Sequence, residues 1–225
     1  MTIQDKILAK YYEVISESKQ EMFDRIAANR TNYVTVVMEN IMKDHNASAV
    51  MRTCDCFGIQ KLHTLEKGVK YKIQREIARG AENWIDLKTF HGEEPVHHCF
   101  TDLKSQGFRI ITTSPHAKRT IFDLDISSPI ALVFGTERQG VSKTAIQESD
   151  ELVRIPMYGF TESFNVSVSV ALALNILRQR LSNQDFNWKL NLDEQTLLKI
   201  NWCEKIVKEG PSVTKEFERR ILEKE

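Results

Sequence analysis

The chain has 225 residues, 41% of them hydrophobic, and equal numbers of basic and acidic side chains, 31 each, for a formal net charge of zero. That length and apolar content suit one globular domain with terminal additions. Overall neutrality argues against a chain that grips nucleic acid by bulk charge, while leaving room for a local basic patch. The first twenty residues lack the apolar core of a secretory signal, and no apolar run nears the ~20 residues that span a bilayer. The cysteines, Cys54, Cys56, Cys99 and Cys203, follow neither C-x-x-C nor disulfide-framework spacing. These features describe a soluble, cytoplasmic protein with reduced thiols.

In chain order, residues 3–29 read as helical. Ile7, Leu8, Tyr11, Tyr12 and Ile15 recur at three and four, and a second short helix is expected over Gln20–Ala28. The β-branched NYVTVVMEN (Asn32–Asn40) reads as a buried strand. Asn46 then sits where a cap opens a helix whose apolar positions are Ala49, Val50 and Cys54, closed by Gly58. Ile59–Glu66 reads as the next strand, so that strand, helix and strand form a parallel pair. A locally basic stretch follows, with Lys67, Lys70, Lys72, Arg75 and Arg79 and with Tyr71 and Trp84 nearby. HHCFTDLKSQG reads as a helix ending at Gly107, and FRIITTSP as a strand stopped by Pro115. SPIALVFG (Ser128–Gly135) is the strongest strand, apolar on both faces and therefore central. A short helix in TAIQESD and a strand over Glu151–Met157 come next.

GFTESFNVSVSVALALNILRQR (Gly159–Arg180) carries two periods at once. Phe164, Val166, Val168, Val170, Leu172 and Leu174 alternate like a strand, whereas Val166, Val170, Ala173, Leu174, Leu177 and Leu181 share a helical face. The apolar stretch outruns any ordinary strand, so length decides for a helix, buried or at a subunit interface. Two further helices are expected in DEQTLLKINWCEKIVKEG and SVTKEFERRILEKE. About five or six parallel strands alternating with helices define an α/β fold. The organisation reads as a helical N-terminal extension over 1–31, a core over 32–182 and a helical tail over 183–225.

Gly135 and Gly140 have the spacing of a G-x-x-x-x-G phosphate loop, but Val141 stands where that loop needs lysine. No G-x-G-x-x-G run links a strand to a helix, which disfavours a dinucleotide-dependent oxidoreductase. What remains is a glycine-bearing turn at the carboxyl end of a central strand, where open α/β sheets bind ligands, or else a tight turn and nothing more. Taken alone, Arg52 reads as a surface cation paired with Asp55 or Asp44, Asn46 as a helix cap, and Cys54 and Cys56 as inert core thiols. Asp44 and His45 suggest acid–base work, against the commoner structural role of a lone histidine. His97, His98 and Cys99 point different ways on one element with no second ligand cluster, so no metal is assigned. The Lys67–Arg79 run balances between a solvated face and an RNA-facing patch.

Three segments taken in order, ENIMKDHNASAVMRTCDCFG, IALVFGTERQGVS and VRIPMYGFTESFNVSVSVALAL, resemble motifs one, two and three of the SpoU (TrmH) class of SPOUT RNA 2′-O-methyltransferases. The likeness covers about residues 32–182, and the length and helical N-terminal extension look most like the tRNA (guanosine-18) branch. The resemblance implies a parallel-sheet SPOUT fold with a trefoil knot near the carboxyl end of the core. It also implies methyl transfer from S-adenosyl-L-methionine to a ribose 2′-hydroxyl, and a homodimer packed through the knot and last core helix. By motif match, Arg52 is the catalytic arginine, with Asn46, Glu137, Ser163 and Asn165 around it. Phe134, Gly135, Thr136, Glu137, Ile155, Met157, Ser163 and Val166 would surround the cofactor. Lys67, Lys70, Lys72, Arg75, Arg79, Lys118 and Arg119 would meet RNA. The terminal segments depart from the family in charge, because their basic residues alternate with acids. Methylation of ribosomal RNA is the nearest alternative, and a catalytically silent RNA-binding dimer the alternative of another class.

Overall fold

The computed structural model describes residues 1–41, 43–68, 70–136 and 139–223. The chain divides into two compact units, one made of Thr31–Trp188 and the other of Met1–Arg30 together with Lys189–Glu225. The central unit contains strands β1 (Val34–Glu39), β2 (Lys61–Glu66), β3 (Asp86–His91), β4 (Arg109–Thr113), β5 (Arg119–Thr120), β6 (Ile130–Phe134) and β7 (Glu151–Arg154). They form a seven-stranded sheet in the order β3-β2-β1-β6-β4-β7-β5, and every pairing is parallel. The strand apolar on both faces, β6, is the middle one, and all five of its residues are buried. Two strands go beyond the five or six expected. β3 is a half-exposed edge strand hidden inside the basic stretch, and β5 is only two residues long.

Period-two alternation sends neighbouring residues of each central strand to opposite sides. Val34, Val36 and Met38 of β1 and Ile130, Leu132 and Phe134 of β6 face helices α3 (Asp44–Cys56) and α7 (Val166–Ser182). Val37, Ala131 and Val133 face α5 (Pro95–Ser105), with α6 (Lys143–Glu148) on the same side. Burying Val50, Met51 and Cys54 of α3 and Val170, Leu174 and Leu177 of α7 contributes roughly 1.5–3 kcal/mol for each large side chain. Helix α3 ends as expected at Gly58, φ 73°, with Ile59 N–H donating to Cys54 O and Gly58 N–H to Asp55 O. Short helix α4 (Arg75–Ala78) completes the layer bearing α3.

The other unit consists of α1 (Ile3–Tyr12), α2 (Glu17–Ala27), α8 (Leu192–Ile206) and α9 (Gly210–Leu222). Capping boxes open α1 at Thr2 and Asp5 and α8 at Asn191 and Glu194. Buried Tyr11 donates to Gly210 O at 2.8 Å and meets Phe217 edge to face, while Trp202 packs on Phe23 with the Arg30 guanidinium over its ring. The two terminal segments therefore share one core.

One buried group ties this fold to pH. His63 of β2 is 3% exposed, and neither ring nitrogen has a hydrogen-bond partner among the described residues. Burial, reinforced by Lys88 and opposed by Asp102, lowers its pKa from 6.5 to about 4. A depressed folded-state pKa stabilises the protein above the unfolded value, and that stability is lost as pH falls from about 6.5 towards 4. The loss amounts to roughly 3 kcal/mol. Urea unfolding at pH 7 and pH 4 is expected to show this extra acid lability in the native chain and its removal in His63→Met. Equal pH dependence in the two proteins refutes it.

Candidate active site

Three strand ends build a cleft. At the end of β6 the chain turns back on itself, and Thr136 and Gly140 exchange backbone hydrogen bonds of 3.0 and 2.9 Å. Gly140 takes φ +67°, and a Cβ on Gly135 would lie 2.1 Å from Gly140 O, so the turn needs glycine at both positions. Beyond it, Ser142 caps α6 through its hydroxyl, and its N–H donates to the buried Glu39 carboxylate of β1 at 2.8 Å. Next to β6, β4 ends at Thr113 and runs into a turn closed by Ala117 N–H donating to Ser114 O. β7 delivers Ile155 and Met157, and the following segment leads to the start of α7.

The resulting cleft is about 360 Å³. Among the residues expected around a cofactor, Phe134, Gly135, Thr136, Ile155, Met157, Ser163 and Val166 all line it. Glu137 lies outside the described residues. Thr113, Ser114, Pro115 and His116 also form part of the wall and were missed, because FRIITTSP reads only as a strand that Pro115 stops. Their signal is positional: a strand of an open α/β sheet delivers a loop at its carboxyl end, where ligands bind.

Asn165 is the N-cap of α7. Its Oδ1 accepts from Ser167 N–H at 2.9 Å, and its Nδ2 donates to Asn46 Oδ1 at 3.1 Å. Asn46 itself is not the cap of α3, as expected from sequence. That position is Lys43, and the buried Asn46 amide stands in the first turn, facing Asn165. The cap signal misleads here because the helix starts two residues earlier, at Asp44, and the asparagine is committed to a tertiary contact. Asp44 accepts from Lys72 N–H, which gives it a structural task in place of acid–base work. Arg52 lies farther along α3, exposed, and pairs with neither Asp55 nor Asp44. It borders a separate hollow and not the cleft. Cys56 is also exposed, contrary to the core thiol expected, whereas Cys54 is buried.

The basic run is an arm pinned by neighbouring side chains. Asn40 Oδ1, Glu66 Oε1 and Asp44 Oδ1 accept from the N–H groups of Lys67, Tyr71 and Lys72, and Ser48 Oγ accepts from that of Gln74. Lys67, Lys70, Lys72, Arg75 and Arg79 are thereby left exposed. Lys118 and Arg119 are exposed elsewhere, but Arg119 is engaged by Glu151 at 2.9 Å, which also holds Arg109 at 2.7 Å. Among the described residues no group of His, Cys, Asp and Glu is placed to hold a metal, and no helix is long and apolar enough to cross a membrane.

A parallel sheet with a part-apolar cleft at its strand carboxyl ends, walled by a bare glycine backbone, defines an α/β protein built to hold a nucleoside-sized ligand. The chain belongs to the SpoU rRNA Methylase family, whose model matches residues 33–175. It is 34% identical over 203 residues to the tRNA (guanosine(18)-2′-O)-methyltransferase of Borreliella burgdorferi, covering 90% of both chains. It is 33% identical over 168 residues to the enzyme of that name from Thermus thermophilus, covering 74% of this chain and 85% of the relative. The crystal structure of the A. aeolicus TrmH/SpoU tRNA modifying enzyme superposes with a TM-score of 0.76 at 27% identity, covering 85% of this chain and 98% of that one. Family membership implies the trefoil knot.

Proposed function

We propose that this chain uses S-adenosyl-L-methionine to methylate a ribose 2′-hydroxyl of RNA, with guanosine-18 in the tRNA D-loop as its target. The observation that carries the reading is the convergence of Phe134–Thr136, Ile155, Met157, Ser163 and Val166 on one cleft, in a chain of this family. The cleft suits the cofactor. Its volume lies in the ~300–1,000 Å³ range of small-molecule sites. Phe134, Ile155, Met157 and Val166 offer apolar wall, Ser163 and Thr136 offer hydroxyls, and Gly135 lets the ligand approach backbone. When bound, S-adenosyl-L-methionine supplies an electrophilic methyl group.

The residues of this chain have the task of placing the ribose oxygen in line, with reacting atoms about 3–3.5 Å apart. Arg52 is assigned the phosphate beside the reactive ribose, orienting it and stabilising charge that develops on the oxygen. A guanidinium is not deprotonated in proteins, so the proton goes to phosphate or water. The Asn46–Asn165 contact ties the start of α3 to the start of α7, and so refers the Arg52 helix to the cleft. Glu137 is assigned from the resemblance alone. The pinned arm from Lys67 to Arg79 is assigned to RNA phosphates, and the exposed face of α7 around Val168 to a second copy in a homodimer. The reaction is placed in the cytoplasm.

The test is incubation with labelled S-adenosyl-L-methionine and total RNA, followed by mapping of the methylated ribose. Label at guanosine-18 of tRNA is expected. Label in ribosomal RNA replaces the target, and cofactor binding without transfer to any RNA leaves a silent RNA-binding protein.

A further inference from the structure

Beside Arg52 lies a second opening, about 330 Å³, that shares no lining residue with the cofactor cleft. Ala49, Arg52, Thr53 and Cys56 present one face of α3 to it, at the spacing i, i+3, i+4 and i+7. Phe57 extends that wall, Ile77 of α4 closes it on one side and Ala171 of α7 on the other. The two openings flank the same helix. Ser169 of α7 borders the cleft and Ala171 borders the hollow, two residues and therefore roughly 200° apart around the helix.

We propose that this hollow receives one unstacked nucleotide of the RNA substrate, flanking the methylated one, with its phosphate on Arg52 and its base against Phe57 and Ile77. The inference rests on the RNA methyltransferase reading and adds a site to it. The floor is apolar and includes an aromatic ring, which suits the face of a base whatever its identity. The rim is cationic. The Arg52 guanidinium is exposed with no described partner, and Arg75 and Arg79 are exposed at the two ends of the short helix that bears Ile77. A planar guanidinium fork matches a phosphate in geometry as well as charge. An apolar segment of another protein would fill such a floor without any use for that rim, so the charge decides for a nucleotide. Thr53 donates its hydroxyl to Ala49 O at 2.9 Å, which leaves its oxygen able to accept from the guest.

The chain carries its own probe. Cys56 lines the hollow and is exposed, while Cys54, Cys99 and Cys203 are buried, and burial pushes the Cys99 and Cys203 thiols up to about 12. The intact protein is alkylated with N-ethylmaleimide, and modification of Cys56 is followed by peptide mass spectrometry. Saturating tRNA is expected to slow modification of Cys56 about tenfold or more, while S-adenosyl-L-methionine alone leaves the rate unchanged. An unchanged rate in a sample that binds and methylates tRNA overturns the inference and spares the reading beneath it. Protection that rises with protein concentration in the absence of RNA assigns the hollow to a second copy and overturns it too, as does a Cys56 that fails to react in free protein. If tRNA is neither bound nor methylated, both fall.

Discussion

Replacing Arg52 with alanine is expected to lower single-turnover methyl transfer by about 10²–10³-fold, the loss seen when one preorganised donor to a developing oxyanion is removed. Cofactor affinity is expected to stay within about twofold of the native value, because Arg52 does not line the cleft that the cofactor is assigned to. The exposed guanidinium also carries no packing load, so the variant is expected to fold. Arg52→Lys should fall nearly as far. A point charge on a flexible stem keeps the attraction for a phosphate and loses the planar, two-pronged grip. Titration calorimetry with S-adenosyl-L-methionine and rapid-quench methylation of tRNA separate binding from chemistry. Full turnover in Arg52→Ala removes this residue from the reaction, and a parallel loss of cofactor affinity makes its role one of maintaining the cleft.

Gly135→Ala is expected to weaken cofactor binding by about 100-fold or more through backbone alone. The added methyl would stand 2.1 Å from Gly140 O and 2.4 Å from Val141 N, both main-chain atoms that cannot swing aside. Relief requires opening the turn, at an overpacking cost of about 1–3 kcal/mol or more, and it moves Thr136 in the cleft wall with it. Gly210→Ala is the matching control. Its methyl would meet Glu204 backbone at 2.1 Å in the terminal helical unit, so it should lower the melting temperature without touching cofactor affinity. Cofactor titrations of the two variants decide the matter. A Gly135→Ala protein that binds S-adenosyl-L-methionine normally places the ligand elsewhere.

The parts of this fold that dominate its energetics were readable from residue order. β6 announces its central place because no polar residue interrupts Ile130–Phe134, and α7 declares itself by length once its alternation outruns a strand. Elements at the margins gave weaker signals. β3 pairs on one edge only, and its half-buried Leu87, Thr89 and Phe90 are separated by charges that read as part of a basic surface. β5 is too short for any period to show. At the cleft, motif likeness reached residues on β6, β7 and α7, all of which meet there, but not Thr113–His116, which belong to none of the three motifs. Asn46 shows the limit of local rules. Its sequence position favours a cap, and only the distant Asn165, 119 residues on, reveals the contact it makes.

The shared core of the two chain ends has a consequence for biosynthesis. Tyr11 and Phe23 leave the ribosome early, yet the surfaces that bury them, Phe217 and Trp202, are near the last to be made. At about 5–20 residues per second, that interval is on the order of ten seconds or longer, during which α1 and α2 hold their apolar faces open to solvent or chaperone. A chain cut short by a premature stop near its end would forfeit the beginning along with the tail.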